Sequence, residues 1–189
     1  MRAHHARGFN LIELMIVVAI VAILTIIALP NLSGMLQNSN TRSAADSIEN
    51  GIRFAQEEAV RLNRVATFTP ASNGSWTVTY TQITGAGDTA TNPLQTQPST
   101  YSSGVSVTPT TAISFNSLGR AGTGGTFSAT TGTTTFTPTA ADLTYQIRNS
   151  FSTTARKLNV LVSPNGKVRM CDPDKTFDVN TAPDGCPTS

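Results

Sequence analysis

Histidine is almost missing from this chain. The only two, His4 and His5, stand ahead of Gly8, and none follows it. From Gly8 onward there is therefore no His-based catalytic triad, no imidazole acid–base chemistry and no His metal site. Charge is equally scarce in the middle, where residues 65–140 carry only Asp88 and Arg120. The formal net charge is +2, but setting aside Arg2 and Arg7 leaves 11 basic residues against 11 acidic, a balance that gives no reason to expect a nucleic-acid partner. Cysteine is limited to Cys171 and Cys186. The glycine-rich stretch Gly119-Arg120-Ala121-Gly122-Thr123-Gly124-Gly125 lacks the Gly-Lys-Ser/Thr of a phosphate loop and sits in Thr-rich, strand-like sequence, so it reads as a turn. No nucleophile is patterned with a base. Asp172 and Asp174 flank Pro173 as a pair better suited to salt bridges or solvation than to catalysis. The expectation is a protein that is not an enzyme, with no cofactor, no metal and no small-molecule substrate.

What is present is one long apolar run, Phe9 to Leu29, interrupted by a single carboxylate, Glu13. A helix of that length spans roughly 31 Å, enough for a bilayer core. Glu13 would cost about 2.5–3.5 kcal/mol near a bilayer centre and less near its edge. Cleavage after Gly8 would supply a partner. Phe9 would become an N-terminal ammonium and Glu13 the fifth residue, and the two charges could neutralise each other within a chain or between neighbours. An ordinary secretory signal has a shorter apolar region cut at its far end, and Glu13 and the length of the run argue against it. An uncleaved anchor and a buried core helix are the other readings. Arg2 and Arg7, with little positive charge just past Leu29, place the N-terminus in the cytoplasm and the rest of the chain outside.

The basic leader, Gly8, Phe9-x-x-x-Glu13 and the apolar helix together resemble the type III signal of type IV prepilins. That resemblance implies a prepilin peptidase that cuts between Gly8 and Phe9 and N-methylates Phe9. It also implies that Glu13 docks the subunit on a neighbour in the filament, and that the first helix is long and kinked at the proline beyond the apolar run, here Pro30. Proline removes one backbone donor, so the helix is expected to kink or loosen there, with Ser33-Gly34 and Ser39-Asn40-Thr41 as further soft points.

The helix is expected to resume to about Asn63. Ile48, Ile52, Ala55, Ala59 and Leu62 recur at steps of four and three, a stripe suited to packing on a sheet. Arg53 and Glu57, four apart, are placed to pair. From Val65 the period changes. Strands are expected near 65–69, 75–83, 112–115, 133–137, 143–148, 156–163 and 166–171, with Asn73-Gly74 as a hairpin turn. Residues 84–103 read as a long loop, and low-complexity 123–139 as short strands carrying Phe127 and Phe136. In the last hairpin Leu158, Val160 and Val162 alternate with Asn159, Leu161 and Ser163, and Pro164-Asn165-Gly166 turns the chain. Lys167 and Arg169 then share the face opposite Val168 and Met170, with solvent expected around both cations. Outside the cytoplasm Cys171 and Cys186 most simply form one disulfide, worth about 3 kcal/mol for a loop of about 15 residues.

Three stretches of the globular part, Phe54–Asn63, Ile113–Gly119 and Gly166–Pro173, resemble the FimT/FimU/GspH family of minor pilins and minor pseudopilins. The resemblance implies an α+β type IV pilin fold, a long N-terminal helix packed on antiparallel sheet. The layout expected is a leader at 1–8, a transmembrane and filament-core helix at 9–36, and a β-rich periplasmic or extracellular domain at 37–189. It implies the inner membrane and then the pilus as location, the prepilin peptidase, other minor pilins and the major pilin as partners, and a part in priming pilus assembly at the tip. Two alternatives accompany it. One is a minor pseudopilin of type II secretion. The other is DNA uptake, since some relatives bind double-stranded DNA through Gly-Arg-x-Arg. Here that motif reads Gly166-Lys167-Val168-Arg169, and lysine keeps the charge but loses the planar fork.

Overall fold

The computed structural model describes residues 10–83, 92–99, 104–128, 130–131, 133–150 and 155–187, with the backbone alone for 27–32. The chain divides into two compact units, Met1–Gln37 and Asn38–Ser189. One helix, α1 (Leu11–Leu62), contributes to both. In the first unit its described side chains from Leu11 to Ile26 are exposed all round. Such an all-apolar surface is the mark of a helix meant to be covered by lipid or by other protein. Among the described residues, no helix is long and apolar enough to cross a membrane.

The helix expected to kink or loosen at Pro30 does not end there. Helical backbone runs through Pro30, Gly34 and Asn40 without a break over 52 residues. A proline costs a helix one donor, and strong helical turns on either side keep the loss local. The helix stops at Asn63, which takes the left-handed conformation (φ 52°), while the amide of Arg64 returns to the carbonyl of Ala59 at 3.1 Å. Asparagine tolerates that conformation better than most residues, which makes it a serviceable terminator.

In the second unit the C-terminal half of α1 lays the expected stripe on a β core. Ile48, Ile52, Ala55 and Ala59 are fully buried, joined by Ala44 and Ala45. Eleven strands follow among the described residues. β1 (Ala66–Pro70), β2 (Trp76–Tyr80), β3 (Gln95–Gln97), β5 (Ile113–Phe115), β6 (Ala121–Ser128) and β7 (Thr133–Pro138) form one antiparallel sheet in the order β3-β2-β1-β5-β6-β7. β4 (Val105–Thr108), β8 (Leu143–Asn149), β9 (Leu158–Val162), β10 (Val168–Thr176) and β11 (Gly185–Cys186) form the other in the order β11-β10-β9-β8-β4. All neighbours are antiparallel except β10 and β11. Phe68, Trp76 and Val78 of the first sheet, and Tyr145, Val160 and Val162 of the second, join the helix stripe in one buried cluster. The hydroxyl of Tyr145 donates to Thr111 O at 2.8 Å, which satisfies the one polar atom of that buried ring.

Strands β3, β4 and β11 lie outside the expected ones: β3 in the stretch read as loop, β4 just beyond it and β11 near the C-terminus. β6 carries the short strand expected around Phe127 but begins at Ala121, inside the glycine-rich stretch read as a turn. β6 holds as a strand because Gly124 and Gly125 sit at positive φ (112° and 116°) in an irregularity between Gly124 and Phe127. Buried hydroxyls catch that kink: Ser114 Oγ donates to Gly124 O and Thr81 Oγ1 to Gly125 O, both at 2.6 Å. A hydroxyl from the neighbouring strand β5 and one from the residue after β2 thus hold backbone that glycine alone would leave loose.

Gly51 is the narrowest point between helix and sheet. A Cβ there would lie 2.7 Å from Phe68 and 2.8 Å from Trp76. Alanine gains about 1 kcal/mol of helix propensity, but forcing a methyl group into a filled core costs about 1–3 kcal/mol. Gly51→Ala is expected to lower the midpoint of thermal unfolding; a rise would show that the two rings yield freely.

Candidate functional site

Of the residues singled out at the N-terminus, Gly8 and Phe9 lie outside the described residues. Glu13 stands in the first turn of α1, exposed, with its amide bonded to Asn10 O at 3.0 Å. A carboxylate at a helix N-terminus is in its favourable place on the helix dipole.

The three stretches of the globular part that carried the resemblance converge. Gln56 of α1 donates to Gly119 O at 2.8 Å, and the amide of Ala121 donates to Pro164 O at 3.1 Å. Gly166, at φ 80°, approaches Gly119 O so closely that no Cβ would fit. The end of α1, the β5–β6 turn and the β9–β10 turn are therefore one packed junction. Arg53 joins it by donating to Val168 O at 3.3 Å. Its carboxylate partner is not the expected Glu57 but Glu49, one turn back, at 2.6 Å. Glu N-terminal to Arg at this spacing is the better orientation on a helix.

Lys167 and Arg169 share a face, as the alternation required, yet they differ in freedom. Both line a concavity of about 160 Å³ with Asp142, Leu161, Ser163 and Pro187. Lys167 is exposed, and among the described residues no carboxylate is paired with its ammonium. Arg169 is half-buried, not solvated as expected. Its guanidinium lies 4.4 Å from the centre of the Phe177 ring and donates to Gly185 O at 3.0 Å and Pro183 O at 3.4 Å. The C-terminal loop has folded back over it. Nothing in the local pattern marked this, because Phe177 and Gly185 reach Arg169 only once the loop closes.

That closure is covalent and ionic. Cys171 and Cys186 are joined by a disulfide, their Cα atoms 4.9 Å apart and 15 positions apart in sequence. Arg156 meets buried Asp172 at 3.4 Å and Asp184 at 3.2 Å, Lys175 meets Asp184 at 2.8 Å, and Lys157 meets Asp174 at 3.0 Å. Arg156, Lys157 and Lys175 are thus matched by carboxylates of the same region. The hydrogen bond from Lys175 holds the Asp184 carboxyl below its usual range, with Arg156 adding to the effect. Backbone amides of Asn180 and Thr181 do the same for Asp178. Among the described residues no group of His, Cys, Asp or Glu is arranged to hold a metal.

With this geometry in view, the comparisons decide the family. The sequence profile described as type II transport protein GspH matches residues 44–180. The chain belongs to the GspH family. A second profile, the prokaryotic N-terminal methylation motif, matches residues 3–29. This GspH-family chain is similar in structure to the type IV minor pilin FimU of Pseudomonas aeruginosa strain PAO1. In one crystal form the TM-score is 0.50 at 15% identity, covering 72% of this chain and 92% of that one. In a second form the values are 0.47, 16%, 71% and 94%. At such identity the first likeness establishes the fold alone, a helix packed on antiparallel sheets. No curated protein matches significantly. The family is thus one described as a type II transport protein, and the fold is one also found in a type IV minor pilin.

The two depressed aspartates fix a sign. A carboxyl whose pKa is lowered by folding stabilises the fold above its unfolded value and loses that contribution as pH falls through the folded value. The loop around Asp178 and Asp184 is expected to be held at neutral pH and to loosen below the ordinary aspartate range of about 3.9. Amide exchange at Asn180 and Thr181, corrected for intrinsic rates, should show protection falling with acid. Lys175→Ala should shrink the part of that acid response that belongs to Asp184. Exchange indifferent to pH would contradict it.

Proposed function

We propose that this GspH-family chain is a minor pilin of a type IV pilus, a structural subunit that helps to prime assembly with other minor pilins at the filament tip. The observation that carries the reading is the coupling of two features on one helix: a methylation motif over residues 3–29 and a GspH domain over 44–180, both containing part of α1. In this reading residues 1–8 are the leader. The prepilin peptidase cuts between Gly8 and Phe9 and methylates Phe9. Residues 9–36 hold the precursor in the inner membrane with its N-terminus in the cytoplasm and later pack in the filament core. Residues 37–189 face outward and meet other minor pilins and the major pilin. The exposed apolar surface of α1 from Leu11 to Ile26 is the surface such packing needs, and Glu13 is its only charged group.

Docking through Glu13 is tested by Glu13→Gln. Removal of the charge should leave cleavage intact and reduce recovery of the protein in sheared pili, whereas recovery at the wild-type level would rule out the role. The same preparation distinguishes a pilin from a minor pseudopilin of type II secretion, the reading favoured by the name of the family profile: a pseudopilin would be absent from pili and needed for secretion.

The DNA-uptake reading rests on Lys167, exposed and without a carboxylate partner among the described residues. The closed C-terminal loop weakens it, since Arg169 is committed to Phe177 and two carbonyls and Asp142 lines the same concavity. If the reading holds, double-stranded DNA binds the full chain at about 50 mM salt, weakens by 200 mM, and is lost with Lys167→Ala. No binding at low salt would eliminate it.

A further inference from the structure

The unexpected strand β3 closes a groove that pilin assembly as described above does not use. Ser43, Ser47, Asn50 and Phe54 recur at steps of four, three and four, so they stand on one face of α1, with Asp46 beside them. Opposite them Gln95 and Gln97 occupy alternate positions of β3 and so one face of that strand. Trp76, the register partner of Gln97, lies between. Together these residues line a cavity of about 600 Å³, within the second unit. That volume falls in the range of small-ligand sites.

The lining has a definite chemistry. The carboxamides of Asn50, Gln95 and Gln97 each offer donors and an acceptor, the Ser47 hydroxyl offers a donor, and Asp46 accepts. Trp76 Nε1 donates to Ser47 Oγ at 3.0 Å, which fixes the indole and leaves the serine proton to point elsewhere. No lysine or arginine lines the cavity, and Asp46 gives it a negative sign, so phosphates, carboxylates and nucleic acids are poorly received. Arg42 reaches Asp46 at 3.8 Å but is not part of the lining. Apolar and polar surface are about equal in the lining, and Phe54 and Trp76 are its two aromatic rings. A lipid tail or an apolar peptide would strip water from the amides and from Asp46 without replacing it. The ligand that matches is neutral, dense in hydroxyls, and able to give and take hydrogen bonds at short intervals.

We propose that the groove between α1 and β3 binds a neutral saccharide. Asn50, Gln95 and Gln97 bind its hydroxyls in paired donor–acceptor contacts, Asp46 accepts from a further hydroxyl, and the Trp76 edge forms the floor. The inference rests on the lining and not on the pilin reading, and it would stand for a pilin or a pseudopilin alike.

Trp76 is the only tryptophan in the chain, so its fluorescence reports on the groove directly. The full chain, in a detergent that carries no sugar, is titrated with maltotriose, cellotriose and tri-N-acetylchitotriose, and ligand-observed NMR is run beside it. A saturable response to at least one trisaccharide is expected, with Kd of about 1 mM. Asn50→Ala and Gln97→Ala should each weaken it about fivefold, the effect of one lost hydrogen bond, with unchanged thermal unfolding. Lys167→Ala should leave it unaltered. Silence with all three sugars by both methods overturns the proposal. A response that persists unchanged in the Asn50→Ala/Gln97→Ala double variant does so too. Self-association that alters Trp76 fluorescence and is not reversed by sugar would give the groove to a second copy instead and would equally overturn it.

Discussion

The contact that the rest of the globular unit depends on is the approach of α1 to the first sheet at Gly51. With no side chain at that position, Phe68 and Trp76 come within contact of the helix backbone. The stripe on either side is built of Ala44, Ala45, Ala55 and Ala59 with Ile48 and Ile52 between them. Small residues let the helix lie close, and the large volume of the core is then supplied from the sheets, by Phe68, Phe115 and Tyr145. Phe68 makes ring contacts with both Trp76 and Tyr145, at centroid distances of 5.7 and 6.1 Å. It therefore links the helix contact to the second sheet, and both sheets take their position from a helix that offers little bulk of its own.

A second constraint governs the C-terminus. Residues 172–187 have few apolar side chains, so burial cannot hold them. The disulfide shortens the loop, the pairs around Arg156 and Asp184 locate it, and Arg169 pins it from beneath through Phe177 and two carbonyls. Exposed ion pairs contribute little singly. Their effect here comes from acting on a segment already closed by a covalent bond, where the entropy of pairing is largely spent. The consequence for function is that a cation which looks available in sequence is occupied in the fold, while Lys167, one residue outside strand β10, is not.

Two kinds of surface result. From Leu11 to Ile26 the side chains of α1 are exposed and almost all apolar, with Glu13 the one charge among them. The globular unit has polar faces rich in Thr, Ser and amides, with few charges from Val65 to Ala140. Such faces neither repel nor strongly attract a partner at a distance, so contacts on them are decided at short range, by shape and hydrogen bonding.

The chain determined much of this by itself. The apolar run with Glu13 inside it is legible as a run alone; the 3.6-residue stripe from Ile48 to Leu62 and the alternation of Leu158–Val162 are local periodicities, and both survive folding because one face of each element has a single place to go. Paired cysteines in a segment without apolar content were equally legible. The tertiary structure alone decided what depends on distant partners. β3, β4 and β6 are short or glycine-broken and have no period of their own; they are strands because Trp76, Arg148 and Ser114 lie opposite them. Arg53 chose Glu49 over Glu57, and Arg169 turned from solvent to Phe177, for the same reason. A side chain's partner is set by which groups the fold brings within a few ångströms, and that information is carried by the whole chain and not by its neighbours in sequence.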